Sequence, residues 1–199
     1  VNSNIYNSFE VINFAKDNNI KIIYSATSSN LGNYGKDQNS SPYAWTKTKN
    51  IELIKNYGDW FGLRYEILYF YNVYGPGQIK NGKMSALIAI FEKQYINKKP
   101  LTIVKPGTQL RDFTHIDDII EGCYKAVIKN KNKEYMLSSG KKFSILQIAK
   151  MFNTKYKYIS KRPGDRKDSI VLNNNAKKIL GFKTKNTLKD YIENFIKTH

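Results

Sequence analysis

The sequence predicts an α/β fold in which a parallel sheet covered by helices is joined to a smaller mixed lobe. Up to about residue 78, apolar runs typical of buried strands alternate with amphipathic helical segments. This alternation is the pattern of a parallel sheet whose crossovers are helices. After Gln78 the predicted elements become shorter, which indicates a boundary near that residue.

The individual elements follow from apolar periodicity and from the turn residues between them. The predicted helices are an N-terminal one that ends at Asp17, then 44–57, 85–95, 117–129, 144–152, 176–180 and 187–197. The predicted strands are 20–24, 64–73, 101–104 and 135–137. The first strand ends in a cluster of small polar residues at 25–29, and the second is closed by Tyr74-Gly75-Pro76-Gly77.

The composition narrows the class of protein. The net charge is +17, but 29 of the 33 basic residues are scattered lysines, a pattern that an AT-rich genome produces without a nucleic-acid partner. We therefore expect no nucleic-acid binding. The sequence has no run of about 18 apolar residues and no signal peptide at its start, so we expect no membrane segment. The one cysteine, Cys123, excludes an internal disulfide and fits a reducing cytoplasm.

Tyr43 and Lys47 form a Tyr-x-x-x-Lys pair at the start of the second predicted helix. Spacing i, i+4 places both side chains on one helical face, so that an ammonium lies beside a phenol. A neighbouring cation favours the phenolate and brings its pKa from about 10 towards working pH. Such a phenol can take a proton from a sugar hydroxyl while hydride leaves the same carbon.

The context of this pair is what distinguishes it, because the spacing also occurs by chance at Tyr95 and Lys99. Thr27 stands at the carboxyl end of the first predicted strand, the edge at which open α/β sheets bind ligands. Its hydroxyl can hydrogen-bond the same sugar oxygen as Tyr43. His115, on a short apolar strand, is expected to be structural, and no cluster of residues implies a metal.

Several motifs resemble, in their order, those of the extended short-chain dehydrogenases/reductases, the nucleotide-sugar epimerase and dehydratase family. The matching segments are Asn4–Ser8, Tyr24–Thr27, Tyr43–Lys47, Tyr71–Gly77, Gly107–Asp118 and Arg162–Asp165. They are spread over nearly the whole chain. The resemblance implies a Rossmann-like parallel sheet of which this chain contains the C-terminal part, followed by a smaller mixed α/β substrate-binding lobe.

The resemblance also implies a role for each matching residue. Tyr43 corresponds to the general acid/base, Lys47 to the lysine that holds the nicotinamide ribose, and Thr27 to the residue that binds the reacting hydroxyl. The cofactor contacts that it implies are Asn4, Ser25, Tyr43, Lys47 and Phe70. For the nucleotide sugar it implies Asn72, Arg111 and Arg162 at the diphosphate and Asp165 at the ribose. Guanidinium groups bind phosphate oxygens in pairs, which agrees with this assignment.

Two departures from the family pattern affect the expected function. No Gly-rich turn follows a strand, so the sequence is expected to contain half of a cofactor site and to be a fragment, a split gene product or a natural truncation. Thr27 is followed by Ser28 and Ser29 instead of the acidic residues of the family's 4,6-dehydratases. Neither serine can replace those acids, which favours epimerase or simple oxidoreductase chemistry.

Taken together, we expect NAD-dependent epimerisation at C4 of a nucleotide-diphosphate hexose through a transient 4-keto sugar, with NADP as the other possible cofactor. Residues 1–78 are expected to form half of the dinucleotide-binding domain and residues 79–199 the nucleotide-sugar-binding lobe. The alternatives are a 4,6-dehydratase or reductase of the same family, or a non-catalytic truncated binding module. A cytoplasmic homodimer is expected.

Overall fold

The computed structural model describes residues 2–31, 41–82, 85–160, 168 and 170–199. A π-helical turn at Asn2–Tyr6 and a 3₁₀ turn at Ser28–Asn30 accompany seven α-helices in this part of the chain. The helices are α1 (Asn7–Asp17), α2 (Pro42–Phe61), α3 (Leu87–Ile96), α4 (Ile116–Val127), α5 (Ile145–Met151), α6 (Asn175–Leu180) and α7 (Leu188–Thr198). The strands are β1 (Ile22–Thr27), β2 (Tyr65–Phe70), β3 (Val73–Tyr74), β4 (Leu101–Val104), β5 (Leu110–Asp112), β6 (Thr114–His115), β7 (Glu134–Leu137), β8 (Lys142–Ser144) and β9 (Tyr156–Ile159).

The predicted α/β class is confirmed, as are all seven predicted helices and the four predicted strands, with ends that differ by a few residues. The prediction missed β3, β5, β8 and β9, whereas the short apolar strand expected at His115 corresponds to β6. β3, β5 and β8 have two or three residues each, which is too short to show an alternating pattern in the sequence. β9 is exposed at three of its four positions and so lacks the apolar run of a buried strand.

The chain divides into two compact units that interleave along the sequence. The first contains Val1–Phe70, Ile120–Leu137 and Ile170–Phe182, and the second contains Tyr71–Ile119, Ser138–Ser169 and Lys183–His199. Two later segments thus join the first unit, because β7 pairs with β2 across more than sixty residues of intervening chain. The functional assignment of residues 1–78 and 79–199 stays a prediction.

The first unit is organised around a parallel sheet of order β1-β2-β7. β2 is buried at five of its six positions, as expected for a strand covered on both faces. The register pairs Ile22 with Tyr65 and Thr27 with Phe70, so that the carboxyl ends of β1 and β2 lie side by side.

Two buried charged side chains tie this sheet to the segment after α4. Glu66 of β2 is fully buried, and its carboxylate accepts hydrogen bonds from the backbone N–H groups of Lys131 (2.7 Å) and Lys133 (3.2 Å). Lys21 donates to the carbonyls of Ala126 and Val127, each at 2.9 Å, and burial lowers its pKa. The lysine thereby satisfies carbonyls at the end of α4 that have no partner inside the helix.

The second unit has three two-stranded sheets, of which β3-β6 and β4-β9 are parallel and β5-β8 is antiparallel. Side chains from α3, α5 and α7 fill its apolar core against these strands. The fully or nearly buried members are Tyr74, Ile88, Phe91, Leu101, Ile103, Phe113, Ile145, Ile148, Ala149, Phe152, Leu188, Ile192 and Phe195. Tyr95 packs against Phe152 and Phe195, so the tyrosine of the second Tyr-x-x-x-Lys pair belongs to this core, whereas Lys99 is exposed.

Within the described ranges, no helix combines the length and the apolar character needed to span a membrane. The same residues contain no group of three or more His, Cys, Asp or Glu side chains arranged to hold a metal ion.

The ends of α2 are set by local sequence. Ser41 is the N-cap, and its Oγ accepts a hydrogen bond from the N–H of Ala44 at 3.1 Å, while Pro42 occupies the first helical position. At the other end Gly62 adopts a left-handed conformation with φ 69°, and its N–H donates to Gly58 O at 3.0 Å. Tyr43 and Lys47 therefore lie in the capped first turns of a long helix.

Replacing Ser41 with alanine removes this cap. We expect Ser41→Ala to lower the free energy of unfolding by about 1 kcal/mol, because the Ala44 N–H loses its side-chain acceptor. Urea denaturation measures the change. Ser41→Asp is the matched control and should keep most of the stability, because a carboxylate also caps a helix. Equal loss in both variants would contradict the capping role.

Candidate active site

Lys47 is fixed against the first strand. Its Nζ donates a hydrogen bond to the carbonyl of Ser25 at 2.9 Å and lies 4.9 Å from the centroid of the Tyr24 ring. Burial lowers the pKa of the lysine, and no carboxylate contributes to that shift. An ammonium that is half withdrawn from water and bonded to one carbonyl retains donors for a ligand.

Tyr43 lies one helical turn before Lys47, and 48% of its surface is exposed. Among the described residues, its hydroxyl has no hydrogen-bond partner. It also lies near Tyr24, whose pKa is raised to about 12, chiefly by burial and with a smaller effect of Tyr43. Of these two phenols, Tyr24 is therefore held neutral inside the protein, whereas Tyr43 is accessible to a ligand.

Thr27 and Phe70 stand at the carboxyl ends of β1 and β2, where the register pairs them. Thr27 Oγ1 donates to Ser29 Oγ at 3.0 Å and accepts from the Ser29 N–H at 3.1 Å, which caps the 3₁₀ turn. Both residues are partly exposed. The structure thus places Ser25, Thr27 and Phe70 at the same end of the sheet, the end at which parallel sheets bind ligands.

Asn4 reaches the same helix through its side chain. Its Nδ2 donates to Thr46 Oγ1 at 3.1 Å, and its carbonyl accepts from Asn50 Nδ2. Asn50 is 2% exposed and also contacts Ser8 Oγ at 3.0 Å and Tyr24 Oη at 3.3 Å. Asn50 was not identified from the sequence. The signal that could have identified it is an amide side chain at a buried position of α2.

In the second unit, Asn72 and Arg111 line a cavity of about 200 Å³. Asn72 Nδ2 donates to the carbonyl of Asp112 at 2.7 Å, and Arg111, which is 9% exposed, donates to Leu110 O at 2.9 Å. The other residues that line the cavity are Leu87, Ile90, Thr102, Val104, Gln109, Phe113 and Ile145. The cavity thus combines mostly apolar walls with one arginine, Arg111.

Asp112 organises the backbone beside Arg111. Its carboxylate is 1% exposed and accepts four hydrogen bonds, from Ser138 Oγ, Ser139 N, Ser139 Oγ and Gly140 N, at 2.7 to 3.0 Å. Burial raises the pKa of this carboxyl, and the four hydrogen bonds counteract the rise. Sequence reasoning missed Asp112 because its partners lie more than twenty-five residues away.

The remaining predicted residues are less informative. Arg162 and Asp165 lie outside the described residues, and their roles stay predictions. His115 is 7% exposed, its Nδ1 accepts from the Asp117 N–H at 3.2 Å, and its ring packs against Tyr74 and Tyr191. These contacts give the histidine a structural role.

Comparison with known proteins identifies the family of the chain. The model of the NAD dependent epimerase/dehydratase family matches residues 1–138. The chain belongs to this family. One similar curated relative is a UDP-glucuronate 4-epimerase of Thermodesulfobacterium geofontis, 29% identical over 207 residues, with 96% of this chain and 62% of the relative covered.

Two solved structures show the same fold. A UDP-glucuronic acid 4-epimerase from Bacillus cereus, in complex with UDP-glucuronic acid and NAD, is 28% identical with a TM-score of 0.86 and coverage of 98% of this chain and 67% of that one. A UDP-N-acetylglucosamine 4-epimerase from Methanobrevibacter ruminantium, in complex with UDP-N-acetylmuramic acid, is 26% identical with a TM-score of 0.88 and coverage of 98% of this chain and 68% of that one.

The chain spans 62%, 64% and 51% of the length of three curated relatives that it matches.

The family's cofactor is NAD, and the residues at the carboxyl end of β1 fit one end of it. The fixed ammonium of Lys47 and the exposed phenol of Tyr43 provide the donors that a ribose diol requires. The sequence contains no Gly-rich turn after a strand to bind a pyrophosphate. The residues present therefore fit the nicotinamide-ribose end of NAD.

The role of Asp112 can be tested by stability. We expect Asp112→Asn to lower the free energy of unfolding by about 2 kcal/mol, because an amide NH₂ would face buried donors in place of an oxygen. Asp17→Asn is the matched control, since the Asp17 side chain is 63% exposed. Two indistinguishable denaturation curves would show that the carboxylate does not hold the 138–140 segment.

Proposed function

We propose that this protein carries out NAD-dependent epimerisation at C4 of a nucleotide-diphosphate hexose through a transient 4-keto sugar. The observation that carries the proposal is the pairing of an accessible Tyr43 phenol with a Lys47 ammonium fixed at the carboxyl end of β1. The relatives named above are nucleotide-sugar 4-epimerases, which supports the same reaction.

Tyr43 would act as the general base and then as the general acid. Its phenolate takes the proton of the sugar 4-hydroxyl, and the phenol returns a proton when the hydroxyl forms again. When bound, NAD supplies the hydride acceptor for this oxidation and the hydride donor for the reduction. Thr27, opposite Phe70 in the register, would hold the reacting oxygen by a hydrogen bond.

Lys47 would orient the cofactor ribose and supply positive charge near the phenolate. Its contact with Ser25 O restricts the ammonium to a small region beside the Tyr24 ring. A restricted donor loses less conformational freedom on binding than a lysine that moves in solvent. Ser25 contributes through its carbonyl, and Asn4 through the packing of the N-terminal turn on α2.

In the second unit, Arg111 and Asn72 would bind the diphosphate, and the apolar walls of the cavity would receive the nucleoside. Arg162 and Asp165 complete this set in the proposal. A 4,6-dehydratase is the less favoured reaction because Thr27 is followed by Ser28 and Ser29, and Ser29 is the hydrogen-bond partner of Thr27. No acidic side chain occupies those two positions.

Product analysis tests the reaction. The protein is incubated with NAD and with UDP-glucose or UDP-glucuronate that carries deuterium at C4, and the sugars are followed by NMR. The proposal predicts a mixture of the two C4 epimers that retains the label at C4, because the hydride returns to the carbon that it left. A 4-keto-6-deoxy product would indicate a dehydratase, and unchanged sugar would support a non-catalytic binding module.

Tyr43→Phe separates catalysis from binding. We expect turnover to fall at least about a hundredfold, because the proton acceptor is lost, while the affinity for the nucleotide sugar stays nearly unchanged. Calorimetric titration with UDP-glucose measures that affinity. Tyr95→Phe is the matched control, since Tyr95 packs in the core of the second unit. A Tyr43→Phe variant with full turnover would remove Tyr43 from the mechanism.

The pKa shift of Lys47 predicts the pH dependence. Because burial lowers this pKa, the ammonium loses its proton at a lower pH than an ordinary lysine at 10.5. The cation is present below that pKa and is lost as the pH rises through it. The alkaline decline of kcat/KM should therefore occur at a lower pH than the 10.5 of an ordinary lysine. Lys47→Arg should move the decline to higher pH, because a guanidinium stays charged.

The control for this experiment is Lys49→Arg on the same helix, where Lys49 forms an exposed ion pair with Glu52. It should leave the profile of kcat/KM unchanged. If Lys47→Arg also leaves the alkaline limb in place, the titrating group is not Lys47.

A further inference from the structure

Thr102 is the polar side chain of β4 that faces the cavity beside Arg111. The strand alternates, because Leu101 and Ile103 are fully buried in the apolar core whereas Thr102 and Val104 are partly buried and line the cavity. Neither the sequence motifs nor the family resemblance assigned a role to Thr102.

Gln94 of α3 determines in which direction the Thr102 hydroxyl can donate its hydrogen. The Thr102 N–H donates to Gln94 Oε1 at 3.0 Å, and Gln94 Nε2 lies 2.9 Å from Thr102 Oγ1. A backbone N–H can only donate, so the atom that faces it must be the amide oxygen. The other end of the amide is then the NH₂ group, which can only donate, and Thr102 Oγ1 must accept.

The hydroxyl hydrogen of Thr102 is consequently directed away from Gln94. Among the described residues it has no acceptor, and the side chain lines the cavity. The Thr102 hydroxyl therefore acts towards the cavity as a hydrogen-bond donor. Its neighbours there include Leu87, Ile90 and Val104, whose side chains cannot accept a hydrogen bond.

We propose that Thr102, oriented by Gln94, selects a pyrimidine base with a carbonyl at C4, uracil or thymine, over cytosine. This inference rests on the proposed binding of a nucleoside diphosphate beside Arg111. The carbonyl at C4 of uracil accepts the Thr102 hydrogen, whereas cytosine presents an amino group at that position. Two facing donors leave both without a partner in a desolvated cavity, and the wrong base is rejected.

Direct binding measures this selection without turnover. UDP and CDP are titrated into the 199-residue protein by isothermal calorimetry at neutral pH, and the ratio of their dissociation constants is the readout. We expect the wild-type protein to bind UDP about tenfold or more tightly than CDP, which is the effect of one neutral hydrogen bond and its loss.

Thr102→Val keeps the branched shape of the side chain and removes the hydroxyl. It should weaken the binding of UDP and bring the dissociation constants of UDP and CDP to within about twofold of each other. Thr102→Ser is the matched control, and it should preserve the preference for UDP because the donor remains. Circular dichroism confirms that each variant is folded.

Gln94→Glu provides a test that a loss of packing would not reproduce. A carboxylate can accept from both the Thr102 N–H and the Thr102 hydroxyl, so the hydroxyl hydrogen turns towards α3 and its lone pairs face the cavity. Gln94 is partly exposed beside Lys80, Lys93 and Lys99, which keep a glutamate ionised there. The preference should then reverse in favour of CDP.

The outcomes separate this inference from the proposed function. A wild-type protein that binds neither nucleotide would overturn the nucleotide site and the inference with it. Binding of UDP that is weakened by Arg111→Ala, together with equal affinity for CDP, would retain the site and overturn the role of Thr102. The role is also overturned if Thr102→Val keeps the wild-type ratio or if Gln94→Glu leaves UDP preferred.

Discussion

The parallel pairing of β1 with β2 is the constraint on which the first unit depends. Parallel neighbours cannot be joined by a tight turn, so the chain between them must cross over the sheet, and α2 is part of that crossover. The crossover returns from the carboxyl end of β1, which places the first turns of α2 at that end. For this reason Lys47 contacts Ser25 and Tyr24, and Tyr43 lies near Tyr24. The chemistry of the site follows from the topology of the sheet.

Buried polar side chains then hold in place the segments that the sheet topology brings close together. Asn50 connects the N-terminal turn, α1 and β1 through one amide, and Asp112 holds the segment 138–140 through four hydrogen bonds. A buried polar group costs free energy unless it is paired, so each of these networks favours a single arrangement of the backbone around it. Gln94 has the same effect on a smaller scale, because it sets the direction in which the Thr102 hydroxyl can donate. In both units the groups that we propose to bind a ligand are oriented by other side chains that have no proposed contact with it.

The sequence was sufficient to predict the α/β class, the helices and the longer strands, because these depend on local periodicity. It also allowed Tyr43 and Lys47 to be predicted as site residues, since a helix start after a strand with a polar end is a local pattern. The register of Thr27 with Phe70, the partners of Asp112 and the contact of Gln94 with Thr102 could not be predicted, because each joins residues whose proximity only the folded chain creates. The roles of all the proposed site residues, Arg162 and Asp165 included, stay predictions.

The central claim is that Lys47 and Tyr43 form a site for a nicotinamide dinucleotide. Native mass spectrometry of the purified protein in the presence of NAD, followed by denaturation and analysis of the released molecules, tests it directly. The account predicts one NAD for each Tyr43–Lys47 site and loss of that adduct in Lys47→Ala. A wild-type protein without a dinucleotide adduct, or an adduct that Lys47→Ala leaves intact, would contradict it.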